Sequence, residues 1–504
     1  MTPARRLRNQ ALAAALLAAV FFLVPAAAAP QGYAPHRALV GVRSNFSSGS
    51  EPVESIARKA EKSGFSAVLF ADHHRLSLFW GVPPFRNLLR KRQEFSSVHL
   101  SGVRSYLKAV LAADERHPRT LITPGLTTTP FYYWTGSPFR GDLTAHQWHT
   151  RLLVFGLRNP ALARLPEVHG SFSTAYVRQL WPGAALFLAA ALMGLALFIR
   201  YPRWRALGFL LFLAGGLFSI NYHPFAATPF DVYHGDQGVA PYQLLIDYVK
   251  ARGGVVLWTA EGKGVPGGER AGVARLVSRP RPDLLAAARG YVAFDAFMGG
   301  TPPPTAPGGV WDAMLQAFTD GKRRTPVWIF GSAGGRRKTA EGLEAYSEEV
   351  QTVFYLKEKT QAALLDALRR GRMYALKAGG GFYLRLDRFA VTPRDLSAEA
   401  LPGQRLNAPG PVAVHFRVSA SDGRRRPVTV RIVRDGRVVK TLRGETPFER
   451  TYRDPFTLPG RTSFYRVEAS GPSGTRLLTN PVFVKFLKAA PSKGPDRPGS
   501  GTVP

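Results

Sequence analysis

The stretch Ala67-Val-Leu-Phe-Ala-Asp-His-His74 decides the fold class. Its unbroken apolar run, Ala67 to Phe70, is the pattern of a strand buried on both faces, as in a parallel sheet. The run delivers Asp72, His73 and His74 just beyond its C-terminal end, which is where α/β folds place their chemistry. Upstream, Leu39-Val-Gly-Val42 reads as a short strand, and Glu51 to Lys62 as a helix with Val53, Ile56, Ala57 and Ala60 on one face. Downstream the alternation repeats. A helix over Val103 to Ala113 precedes strands at Thr120 to Thr123 and Leu152 to Phe155. Further on come a helix at Tyr242 to Arg252, a strand at Gly254 to Trp258, helices at Asp283 to Arg289 and Trp311 to Phe318, a strand at Val327 to Phe330 and a helix at Gln361 to Arg370.

Two apolar segments interrupt or precede this pattern. Arg5, Arg6 and Arg8, the apolar run Ala11 to Val24 and the small residues Ala26 to Ala29 have the order of an export signal over residues 1–29. Leu180 to Ile199 and Ala206 to Tyr222 flank the basic turn Arg200-Tyr-Pro-Arg-Trp-Arg205. Each is long enough for a short transmembrane helix, with Trp181, Trp204 and Tyr222 at the interfaces and the basic turn inside. The expected topology is therefore a hairpin over 180–222 inserted into one exported α/β domain made of residues 30–179 and 223–395. The protein is expected in the cell membrane, with its soluble parts on the extracytoplasmic side.

From about Leu401 the texture changes to short alternating strands. They include a hairpin centred on Asp435-Gly436 and runs at Val412 to Val418, Ser463 to Glu468 and Pro481 to Phe486. An all-β sandwich over 396–488 is expected, followed by a Pro-, Gly- and Ser-rich tail over 489–504 that should be mobile. The 504 residues carry a net charge of +33 and no cysteine. Disulfides, cysteine nucleophiles and Cys-based metal sites are thereby excluded. The positive charge is mostly arginine spread over the whole length, and the export signal argues against a nucleic-acid partner.

Gly41-Val-Arg-Ser-Asn-Phe-Ser-Ser-Gly49, followed by a helix and then Leu69-Phe-Ala-Asp-His73, resembles the opening of the PHP superfamily, the polymerase and histidinol phosphatase type of metal-dependent phosphoesterase. The resemblance continues through Ile122-Thr-Pro-Gly-Leu-Thr127, Arg151-Leu-Leu-Val-Phe-Gly-Leu157, Gly253-Gly-Val-Val-Leu-Trp258 and Gly331-Ser-Ala-Gly334. It implies a distorted (β/α)7 barrel, with an Ig-like sandwich following. It also implies a cluster of two or three metal ions, which lower the pKa of a bound water and stabilise phosphoryl oxygens.

At the matching positions most ligands are replaced. The first histidine pair is Gly41 and Arg43, the glutamate is Thr127, the next histidine is Arg151, the His-Pro-Glu segment is Thr259-Ala260-Glu261, and the late Asp-x-His is lost. Asp72 and His73 stand in place. A guanidinium cannot deprotonate to coordinate a cation and repels one at short range. The expectation is thus a catalytically degenerate domain, without a cofactor, acting as an anion-binding or scaffolding module for an anionic envelope ligand or a protein partner. Arg43 and Arg151 are its anion contacts, and Asp72, His73 and His149 form a remnant or residual metal site. The rival is an active phosphoesterase using divalent Mn, Fe or Zn held by unaligned residues such as His149, Glu261, His234 or Asp236. His223 and His234 read as interfacial or loop residues, and Arg336-Arg-Lys338 as a solvated basic loop.

Overall fold

The computed structural model describes residues 32–260, 269–334, 337–338, 344–394 and 398–488. The export-signal segment, Glu261, Arg336 and the C-terminal tail lie outside them. The architecture is mixed α/β with several sheets.

Strand β1 (Ala34–Val42) runs parallel to β2 (Ala67–Phe70) through the crossover helix α1 (Val53–Lys62). That helix buries the four apolar residues its spacing assigned to one face. One residue after β2 comes β3 (Asp72–His73), followed by an antiparallel hairpin of β4 (Ser77–Gly81) and β5 (Arg90–Glu94). Helix α2 (Val103–Arg116) returns the chain to β6 (Leu121–Thr123) and, after Pro124, β7 (Gly125–Thr128). β2 pairs with β6 and β3 with β7, both parallel, so one pair of interrupted strands belongs to two sheets at once.

A (β/α) alternation makes every strand parallel, and β10 (Thr150–Phe155) departs from it. It lies antiparallel to β7 and to β11 (Val255–Ala260), because the connection from β7 is not a crossover helix but the hairpin of β8 (Tyr133–Thr135) and β9 (Thr144–His146).

Between β10 and β11 lie α3 (Val177–Arg200), a turn at Pro202–Trp204, α4 (Arg205–Asn221) and then α5 (Ala240–Lys250). The first two helices are long and apolar enough to cross a membrane. They pack on each other through Ala191, Gly194, Gly208 and Gly215, leaving Leu186, Leu192, Ile199, Leu210 and Ile220 exposed.

Beyond β11, the short strands β12 (Glu269–Ala271) and β13 (Ala274–Val277) join the β8–β9 sheet. Helix α6 (Pro282–Ala287), β14 (Ala293–Asp295), α7 (Val310–Thr319) and β15 (Trp328–Phe330) then restore the parallel pattern. A one-residue parallel bridge between Val40 and Ser332 leads from the end of β15 back to β1.

The remaining strands form the C-terminal half. β16 (Val350–Leu356) pairs antiparallel with β1, and helix α8 (Gln361–Arg370) leads to β17 (Met373–Lys377) on the far side of β16. β18 (Leu384–Pro393) lies before the boundary drawn from sequence at 396, yet pairs along its length with β20 (Val412–Ala420), after the short β19 (Arg405–Ala408). The expected hairpin is present as β21 (Pro427–Arg434) and β22 (Arg437–Glu445), with Asp435 and Gly436 at positive φ between them. β23 (Phe448–Asp454) completes the β18–β20 sheet. β24 (Thr462–Ser470), β25 (Arg476–Thr479) and β26 (Val482–Phe486) extend the large sheet, because β25 pairs with β17. A second apolar core, with Phe389, Phe416, Val430, Tyr465 and Val484 in it, is built by these strands together with Val353 and Leu376 of β16 and β17.

Candidate functional site

Asp72 is buried where β2 gives way to β3, and it accepts three hydrogen bonds from the loop after β1: Ser44 N at 2.8 Å, Ser44 Oγ at 2.8 Å and Ser47 Oγ at 2.6 Å. Burial pushes its carboxyl up to about 6, against the opposing pull of those donors and of the Arg43 guanidinium. The carboxylate therefore braces the Ser44–Ser47 turn, which sets the course of the chain beside Arg43.

The next residue, His73, is also buried, and its Nε2 lies 2.7 Å from Arg151 Nη1 on β10. A guanidinium only donates, so this nitrogen accepts and the imidazole proton sits on Nδ1. Burial, and then the charges of Arg151, Arg43 and His149, hold His73 well below its usual range. Arg43 thus acts electrostatically on both Asp72 and His73, and Arg151 and His149 on His73; His149 is half-buried, with its backbone N–H donating to Ser278 Oγ at 2.8 Å.

The substituted ligand positions gather about the same strand ends. Thr127 lies in register with His73, and its hydroxyl donates to Ala71 O at 2.5 Å. Thr259 is buried in register with Arg151. Gly41 has φ +84°, and a Cβ there would meet Ser332 Oγ at 3.1 Å and Leu153 Cδ1 at 3.2 Å, so no imidazole fits at this position without displacing both. The rival ligands His234 and Asp236 are instead engaged in surface pairs, with Asp231 at 2.8 Å and Arg281 at 2.7 Å.

Two parts of the site escaped the sequence reading. Asp295 is buried at the end of β14, and its carboxylate accepts from Phe297 N at 3.1 Å and from Ser332 N at 3.4 Å. Its signal was available: Val292-Ala-Phe294 is an apolar run followed directly by an acid, as Ala67 to Ala71 is. The second part is a buried pair formed by His74 Nδ1 and Glu167 Oε1 at 2.6 Å, both side chains 1% exposed. Nearby, burial and then Arg75 and His74 lower His169 to about 3. Nothing local in the sequence links positions 93 residues apart, and no reading found this pair.

Three positions at which the resembled family carries metal ligands are otherwise engaged or have no room for one. The His73 nitrogen opposite β10 is occupied by a fixed cation, Thr127 is committed to a backbone carbonyl, and Gly41 has no room for a ligand. Among the described residues no three of His, Asp and Glu are grouped to hold a metal ion.

No family model and no curated protein matches this sequence. Among solved structures, the chain is similar to a two-domain protein from Bacteroides vulgatus containing a predicted PHP-like metal-dependent phosphoesterase. The two are 10% identical, with 90% of this chain and 96% of that one covered and a TM-score of 0.35. It is also similar to a candidate metal-dependent phosphoesterase from Bifidobacterium adolescentis, at 14% identity, with 62% of this chain and 92% of that one covered and a TM-score of 0.25.

Proposed function

We propose that this chain is an exported, membrane-tethered protein whose PHP-type α/β domain, a distorted barrel followed by an Ig-like sandwich, has exchanged a metal cluster for an anion site. One observation carries the reading: the buried 2.7 Å contact from Arg151 to His73 puts a permanent positive charge where the resembled family holds a cation. Arg43 and Arg151 supply charged donors, His73 orients Arg151, and Asp72 holds the Ser44–Ser47 turn. The ligand is a phosphate, sulfate or carboxylate group, and the role is binding or scaffolding at the envelope.

The test uses the full chain purified in detergent. Elemental analysis is expected to find less than one Mn, Fe or Zn ion per chain. Calorimetry is expected to detect inorganic phosphate or sulfate, with affinity falling about tenfold or more in Arg43→Gln. Two or more bound metal ions per chain would overturn the reading. The buried Asp295 favours one second reading, a metal-dependent phosphoesterase with an unfamiliar ligand set. Hydrolysis of a generic phosphodiester that is lost in both His73→Ala and Asp295→Asn would establish it.

A further inference from the structure

The β4–β5 hairpin joins the candidate site to the apolar helices, and its composition is that of a lipid interface. Both of its legs stand at the site. β4 begins four residues after His73, Phe95 N donates to Leu76 O at 2.8 Å, and His99 N donates to His74 O at 3.0 Å. Its tip is fastened to the last turn of α4. Asn87 N donates to Asn221 Oδ1 at 2.9 Å, Asn87 Nδ2 to Asn221 O at 2.7 Å, and Asn221 Nδ2 to Pro84 O at 3.1 Å. The Phe85 and Phe218 rings lie 5.2 Å apart. The tip therefore sits at the height where α4 ends.

At that height the surface changes character. Leu88 and Leu89 are exposed at the tip, and Leu89 is 58% exposed. Phe172 on the segment entering α3, Trp181 near the start of α3, and Tyr222 and Phe225 on the segment leaving α4 are exposed with them. Arg86, Arg90, Lys91 and Arg92 lie on the same hairpin, with Glu94 as its one acid. Arg90 and Arg92 are bound to the segment before α3, through Gly170 O at 2.7 Å and Ser171 Oγ at 2.8 Å. Apolar and aromatic side chains mixed with cations, continuous with two apolar helices, match the chemistry of a bilayer's headgroup layer.

We infer that the β4–β5 tip is a second membrane contact, seated among anionic phospholipid headgroups, which holds the Arg43–Arg151 site at a fixed height above the bilayer. The inference rests on the membrane tethering proposed above. The excess of cations selects anionic over zwitterionic lipid, and Leu88 and Leu89 enter the interface beside them.

The absence of cysteine makes single-cysteine reporters straightforward. The full chain carrying Leu89→Cys, Leu192→Cys on α3 or Val438→Cys on the C-terminal hairpin is labelled with an environment-sensitive dye. Each is reconstituted into vesicles of phosphatidylcholine, with or without phosphatidylglycerol, containing spin-labelled quencher lipids. Quenching is expected at Leu192→Cys and Leu89→Cys but not at Val438→Cys. At Leu89→Cys it is expected to be about twofold stronger with phosphatidylglycerol, and to lose that gain when Lys91→Glu is added. Quenching at Leu192→Cys with none at Leu89→Cys would overturn the inference and leave the tethering intact. No quenching at either position would overturn both. Equal quenching of Leu89→Cys in the two vesicles would overturn the choice of anionic headgroups.

Discussion

Asp72 and His73 are adjacent, both are buried, and burial acts on them in opposite ways because it disfavours the charged form of each. The Asp72 carboxyl rises from 3.8 to about 6, so the folded protein keeps a proton there that the unfolded chain has already released. Its contribution to stability is complete below about pH 4 and is lost as pH rises to about 6, a change of about 3 kcal/mol. The lowered His73 imidazole works the other way: its contribution is complete above about pH 6.5 and is lost as pH falls. The Asp72→Asn variant keeps an acceptor for Ser47 and Ser44 but removes the first slope. Its melting temperature relative to the parent protein is therefore expected to rise between pH 4.5 and pH 7.5, and a difference that stays constant over that range would contradict the burial argument. At this scale the sequence was informative where a strand end announces a polar residue, as at Asp72 and His73. It was silent on Ser44, Ser47, Ser332 and the His74–Glu167 pair, because those partners are chosen by how separate strand ends meet.

Helices α3 and α4 approach closely because glycine lines their contact. A Cβ on Gly194 would come within 2.3 Å of Phe212 N, and one on Gly215 within 2.5 Å of Ala191 N, whereas one on the adjacent Gly216 would meet nothing within 4 Å. Backbone packed against backbone through small residues is how apolar helices associate where no hydrophobic drive separates them from lipid. Gly215→Leu is therefore expected to lower the thermal stability of the detergent-solubilised protein by more than about 2 kcal/mol, and Gly216→Leu to leave it within about 0.5 kcal/mol. Equal effects from the two would mean that the helices do not pack this way. Strands β8, β9 and β12 to β14 went unread, whereas α1, α2, α5, α7 and α8, which carry one apolar face, and the apolar runs of β1, β2, β6, β10, β11 and β15 were legible within a few residues. The β4–β5 hairpin was not. Arg90-Lys-Arg-Gln-Glu94 has the composition of a solvated loop and becomes a strand through its pairing with Ser77–Gly81. β16 and β18 were also missed; the register of β16 is set by β1, more than 300 residues away.

The α/β half and the C-terminal strands are joined by a continuous ladder, β1–β16–β17–β25, and by polar contacts across the same seam. Asn480 donates to Ile329 O at 3.1 Å and Met373 O at 3.0 Å while accepting from Ile329 N at 2.8 Å, so one side chain ties β15 and β17 to the loop before β26. Arg466 on β24 is fully buried. Its guanidinium grips both oxygens of Asp312 on α7, at 2.9 and 2.8 Å, reaches Thr305 O at 3.3 Å, pairs with Glu468, and lies 4.8 Å from the centre of the Trp311 ring. Burying one cation against two acids is tolerable only while all three remain: without Arg466 the buried Asp312 would be a desolvated charge without a counter-ion, and Glu468 would keep only the partly exposed Arg431. Arg466→Met keeps most of the side-chain volume but leaves Asp312 and Glu468 facing each other in the seam. It is expected to cost about 3 to 5 kcal/mol and to lower the unfolding temperature of both halves together. The triple variant Arg466→Met, Asp312→Leu, Glu468→Leu removes the stranded acids and is expected to recover most of that loss. Scanning calorimetry of the full chain distinguishes the cases. One cooperative transition that moves as a unit fits a seam that makes the halves a single folding body, whereas two transitions, with only the later strands affected by Arg466→Met, would show that the ladder joins the halves without coupling them.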